Sequence, residues 1–132
     1  MALIDAHTVT VYNALGETDR IASYARTVLA GVRIETTDAA VASVAGGSST
    51  GGVTAFVPGG LAGYVDPHDW DGTAGWTLRV GDLMVVGECT SDVPGDVSRA
   101  QLEAAREVYR ITGVETHRLF SAAVHHFEVA GA

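Results

Sequence analysis

The stretch Gly75-Trp-Thr-Leu-Arg-Val-Gly-Asp-Leu-Met-Val-Val-Gly-Glu88 holds two apolar runs split by Val80-Gly81-Asp82. Alternation with period two places Trp76, Leu78 and Val80 on one strand face and Thr77 and Arg79 on the other. Gly81-Asp82 suits a tight turn, because glycine tolerates positive φ and a short carboxylate can bond nearby backbone. Leu83 to Val86 then reads as a strand covered on both faces. A corner of this kind, with short apolar strands on either side, belongs to a small β-barrel or sandwich.

The flanking chain repeats the pattern. Thr8 to Tyr12 alternates and is rich in β-branched residues, the mark of a strand, and Asn13 to Asp19 reads as a turn or loop. RTVLAGVRIE, Arg26 to Glu35, reads as a strand bent or bulged at Ala30-Gly31. Residues 36–52 are small, polar and glycine-rich, and read as a flexible excursion from the core. VTAFVP, Val53 to Pro58, resumes a strand that proline ends. Residues 59–75 are mainly loop, with Trp70 and Trp76 expected to anchor against the barrel.

Further on, Ser98 and Gln101 have capping-box spacing, so a helix is expected from Arg99 to about Glu107, with Leu102 and Ala105 facing inward. Val108 to Thr116 reads as a strand interrupted at Gly113, and His125 to Val129 as the last one. The sum is a mainly β single domain spanning 1–132, a small barrel or sandwich of about six short strands with one short helix. Its expected core anchors are Trp70, Trp76, Leu78, Leu83, Val85, Tyr109 and Ile111.

Composition excludes several classes. Sixteen Asp and Glu oppose eight basic residues, all arginine, for a net charge of -8. Phosphate binding draws on Lys and Arg, so sequence-specific nucleic-acid binding is disfavoured. The first residues lack the basic segment and apolar core of a secretory signal, and no run approaches the ~20 apolar residues of a membrane span. A phosphate-cradling loop needs a lysine before its Ser or Thr, and the chain has no lysine.

Three constellations invite chemistry. Asp66, Asp69 and Asp71 in DPHDWDG offer oxygen donors, but not at EF-hand positions, and solvated turn carboxylates are the better reading. His117, His125 and His126 suggest a metal, yet adjacent histidines on a regular strand point to opposite faces. Cys89, the sole cysteine, fits a small buried hydrophobe better than a nucleophile. No catalytic, cofactor-binding or metal site is therefore assigned. Arg79, Arg106, Arg110 and Arg118 are candidate interface residues, since planar guanidinium groups suit carboxylates on a partner.

The ordered set TVTVYN (Thr8 to Asn13), YARTVLAGVRIE (Tyr24 to Glu35), VTAFVP, YVDPHDW (Tyr64 to Trp70), GWTLRVGDLMVVGE and YRITGVETHRLFSAAVHHFEVAG (Tyr109 to Gly131) resembles small phage and prophage neck proteins. These are the head-closure, head–tail connector and minor capsid kinds. The resemblance runs from Thr8 to the end. It implies a non-enzymatic structural subunit without cofactors. It implies a homo-oligomeric ring between portal and tail proteins, through which DNA passes, located in the virion neck after assembly in the host cytoplasm. The alternatives are a metal-dependent binding domain or small enzyme using the Asp66–Asp71 loop or His117/His125/His126, and a barrel adaptor of cellular origin.

Overall fold

Alternating β-branched and apolar residues build six strands and one helix in the computed structural model, which describes residues 7–18, 21–36, 52–117 and 126–132. The strands are β1 (His7–Thr18), β2 (Ile21–Thr36), β3 (Val53–Pro58), β4 (Leu83–Val86), β5 (Val108–His117) and β6 (His126–Gly131), and α1 (Arg99–Ala105) lies between β4 and β5. Every pairing is antiparallel, and the order β1-β2-β3-β6-β5-β4 closes into a barrel. The mainly β class expected from the alternation is the class observed. The glycine-rich excursion lies almost wholly outside the described residues.

Two long strands make the corners. β2 pairs β1 along its first part and β3 only from Arg33 to Thr36. β5 pairs β4 from Val108 to Arg110 and β6 from Ile111 onward. Each strand changes partner at a bulge, which is how a strand passes from one sheet to another. In β2 the bulge skips Gly31, between the pairs Thr8↔Ala30 and His7↔Val32, and Gly31 has a φ of +78°. In β5 it skips Thr112, next to Gly113. Both interruptions are where glycine in the sequence places them.

The apolar residues form two cores. Val9, Val11, Leu29, Val32, Val53, Ala55, Val57, Met84, Ile111, Phe127 and Val129 fill the barrel, and Trp76 and Leu78 join them from the loop before β4. A second cluster lies on the outer face, where Tyr12, Leu83 and Val85 are covered by Cys89, Val93 and Leu102. The expectation that Leu83–Val86 is covered on both faces holds, with Met84 inside and its neighbours outside. α1 carries the expected capping box, Ser98 Oγ accepting from Gln101 N–H and Gln101 Oε1 from Ser98 N–H. It stops at Ala105, which is exposed, and Leu102 is its one buried residue.

Several expectations are corrected. Asn13 to Thr18 is strand, not loop, because β1 continues as a hairpin arm against β2. Trp76 to Val80 is not a strand: it makes one isolated parallel bridge, Tyr64↔Trp76, and Val80 is 66% exposed. The alternation breaks because Val80 enters the turn, where Asp82 N–H donates to Arg79 O and Gly81 N–H to Ile111 O. Trp70 is half-buried and belongs to neither core. Tyr109 is half-buried and packs against the barrel core from its rim. Trp76, Leu78, Leu83, Val85 and Ile111 are all buried.

Gly81 has a φ of +98°, and a Cβ there would meet nothing within 4 Å. The cost of a side chain is therefore conformational alone. Gly81→Val is expected to lower stability by more than ~1 kcal/mol in chemical denaturation, and Gly81→Asn by less. An unchanged midpoint for valine would contradict the turn geometry.

Candidate functional site

The most developed polar site lies where β4 ends and β1 continues past it. β1 pairs β4 only from Val9 to Tyr12, so Ala14 would expose its edge groups. Side chains take the missing strand's place. Asp82 Oδ1 accepts from Ala14 N–H at 3.0 Å, and Arg79 Nη2 donates to Ala14 O at 2.7 Å. Arg79 also donates to Asp82, through Nε at 3.1 Å and Nη2 at 3.2 Å. The paired carboxylate and guanidinium thus supply one acceptor and one donor, as a neighbouring residue of a ladder would.

Asn13 completes the junction. Its Nδ2 donates to Thr77 O and to Asp82 Oδ2, both at 2.8 Å, and its Oδ1 accepts from Thr77 N–H at 3.2 Å. The amide therefore pairs the backbone of the covering loop to β1 while holding Asp82. Asn13, Thr77 and Asp82 are all buried. On the outer side, the Arg79 guanidinium carbon sits 4.8 Å from the centre of the Trp70 ring, and Trp70 Nε1 donates to Gly75 O. Trp70 is a lid over a charged pair, which explains why it is only half-buried. Thr77 Oγ1 is the one described buried side-chain oxygen or nitrogen without a partner.

The second polar group lies in the outer core. Tyr12 Oη is 3.1 Å from Cys89 Sγ and 2.7 Å from Ser91 O. Thr10 Oγ1 donates to Gly87 O and accepts from Cys89 N–H, and Arg26 reaches Cys89 O and Asp92. Burial pushes the Cys89 thiol up, but the Tyr12 hydroxyl, the Ser91 backbone and the Arg106 charge outweigh it and hold the thiol below its ordinary range. Burial, with the thiol's own charge, raises the Tyr12 hydroxyl. With Cys89 only 1% exposed, this group joins the segment after β4 to β1 and offers no approach for a substrate.

The remaining candidates are dispersed. Asp66 Oδ1 accepts from His68 N–H, and Asp71 Oδ1 from the Thr73 amide and hydroxyl. Those Thr73 bonds lower the Asp71 carboxyl despite its full exposure. Among the described residues no group of three or more His, Cys, Asp and Glu is placed to hold a metal. His117 and His126 are partners in the β5–β6 register, and His125 lies outside the described residues. Of the candidate interface arginines, Arg79 is bonded within the chain to Asp82 and Ala14 O, with its side chain 32% exposed. Arg106 donates to Glu88 O, Arg110 is exposed, and Arg118 lies outside the described residues. Asn13 carried no signal in the sequence beyond being polar at the end of an alternating strand.

Among the described residues the exposed large apolar side chains are Leu15, Ile21 and Val80. Leu15 and Ile21 lie on the β1–β2 arm, beyond the last residue that β4 reaches. Leu15 marks a further register shift, between Ala14 and Gly16.

The chain belongs to the family described as "Family of unknown function (DUF6751)", whose model matches residues 4–132. No curated protein and no solved structure matches it.

Two substitutions test the junction. Asp82→Ala strands the buried Asn13 amide, the Ala14 N–H and the Arg79 charge, and is expected to cost roughly 3–5 kcal/mol in denaturant unfolding; a loss below ~1 kcal/mol would contradict the arrangement. Thr77→Val removes an unpartnered hydroxyl at constant shape. It is expected to leave stability unchanged or raise it by up to ~1 kcal/mol, and a clear loss would show that the hydroxyl is bonded.

Proposed function

For this member of the DUF6751 family we propose a non-enzymatic structural role: a subunit that joins larger parts by docking, of the kind found in the neck of a phage or prophage virion. The observation that carries the reading is the β1–β2 arm. It runs beyond the barrel, is fixed at its base by Asn13, Arg79 and Asp82, and shows Leu15 (48% exposed) and Ile21 (55% exposed) to its surroundings. A hairpin held at its base and carrying exposed Leu15 and Ile21 suits docking against a neighbouring subunit. The order of motifs resembling neck proteins supports the same role, with portal and tail proteins as partners and a ring as the assembled form.

The best-formed polar groups support it too, since they are used up within the chain. Arg79 and Asp82 replace a strand, and Tyr12 and Cys89 tie a loop. The net charge of -8 suits a passage that lets DNA slide, because like charge repels phosphate.

Native mass measurement, alone and with any portal or tail protein found to be encoded beside it, tests the proposal. Binding to one of them as a defined oligomer is expected, and Leu15→Asp with Ile21→Asp should abolish it while leaving the melting of the isolated chain unchanged. Failure to bind any such protein, or a place in a metabolic operon, would overturn it. A monomer in isolation is compatible, since such subunits can wait for a template.

A further inference from the structure

We infer that the outer edge of β2, from Arg26 to Ala30, is the site at which a second copy of this chain adds itself as an antiparallel strand. The inference stands apart from the neck reading, since a two-fold pairing of edges is a different contact from the head-to-tail contacts of a ring.

The register of β1 and β2 defines the edge. Tyr24 N–H donates to Val93 O, and its partner Ala14 donates to Asp82, so this pair turns its backbone groups away from each other. Antiparallel pairs alternate between facing and diverging. The pairs Tyr12↔Arg26, Thr10↔Val28 and Thr8↔Ala30 therefore diverge as well. Their β1 members bond toward β4, as Gly87 N–H to Thr8 O shows. Their β2 members point to the other side. β3 cannot meet them: it pairs β2 only from Arg33 to Thr36, and its last residue is Pro58. No hydrogen bond from a described residue reaches the N–H or C=O of Arg26, Val28 or Ala30.

The occupant follows from the symmetry and charge of this edge. Three diverging residues with Val28 at the centre are self-complementary under a two-fold axis. Val28 would face Val28 of the second copy, and Arg26 would face Ala30 in both directions, so all three residues on each side gain both backbone bonds. From Ile21 to Ile34 the chain holds no Asp or Glu and two arginines, within a chain of net charge -8. Arg26 is paired with Asp92 at 3.0 Å and Arg33 with Glu35 at 2.6 Å, so the edge is close to neutral and two acidic copies meet little local repulsion there. The pairing is bounded by Val93 at Tyr24 and by the bulge at Gly31. The edge lacks proline and lysine, the usual devices that blunt an exposed strand.

Sedimentation or light scattering across concentration is expected to show a reversible dimer. Val28→Cys should cross-link that dimer under oxidation, because facing residues of a bonded pair have Cα atoms about 5.5 Å apart, within disulfide range. Ala30→Cys should not, since it faces Arg26. Val28→Pro deletes an N–H that β1 does not use and should weaken the dimer at least about tenfold. If that variant does not fold, Ala30→Lys serves: it places a cation opposite Arg26 and should weaken the dimer, while Ala30→Glu should tighten it. A chain monomeric up to millimolar concentration would overturn the inference. So would a dimer indifferent to these changes or without the Val28–Val28 cross-link.

Discussion

The Asp82 carboxylate stands where the β4 ladder runs out while β1 goes on. β4 has four residues and β1 has twelve. Without a substitute, β1 would leave the barrel with unpaired edge groups beside a buried asparagine, and such groups cost on the order of 1–3 kcal/mol each. Asp82 accepts from the Ala14 amide, the Asn13 amide and Arg79 at once. One acidic side chain thereby fixes the root of the arm, the approach of the loop carrying Trp76 and Leu78, and the turn that starts β4. The positive φ of Gly81 brings Asp82 into that position, so turn and network form a single requirement.

The rest of the architecture hangs from this corner. Asn13 binds Thr77, which lies between the buried Trp76 and Leu78, so the same contact sets the plug in the barrel. On the opposite face, Tyr12 next to Asn13 anchors the outer core through Cys89 and Ser91. Adjacent residues of one strand thus serve the two cores separately, as period two requires. The bulges at Gly31 and Thr112 let β2 and β5 serve both sheets. The result leaves an arm that carries the exposed Leu15 and Ile21, and a length of β2 edge that no described residue pairs.

Local chemistry made much of this legible before the structure. VTAFVP has the bounds of β3 because its alternation ends in a proline. Ser98 and Gln101 marked the start of α1, and Gly31 and Gly113 marked the two corners. Interactions between distant segments were not legible. Asn13 reads as a turn former, yet Thr77 and Asp82, more than sixty residues away, hold it in a strand. Trp70 reads as a core residue because size and apolarity predict burial, but a neighbouring guanidinium takes its face instead. Val80 matches the phase of Trp76 and Leu78, and the turn removes it from that face. Arg79 reads as a candidate interface cation although Asp82 is only three residues on, because the site that draws the two together is the Ala14 backbone, sixty-five residues away.

If the chain works by docking, rigidity at the root of the arm is what matters, since a hairpin that frays would no longer hold Leu15 and Ile21 in place. Native-state hydrogen exchange at Ala14 measures this directly. Bound to Asp82, the Ala14 amide should exchange only through global unfolding, as slowly as amides in the Val9–Tyr12 ladder. Exchange of Ala14 at the rate of a freely solvated hairpin amide would contradict the account, because the side-chain pair would then not be standing in for a strand.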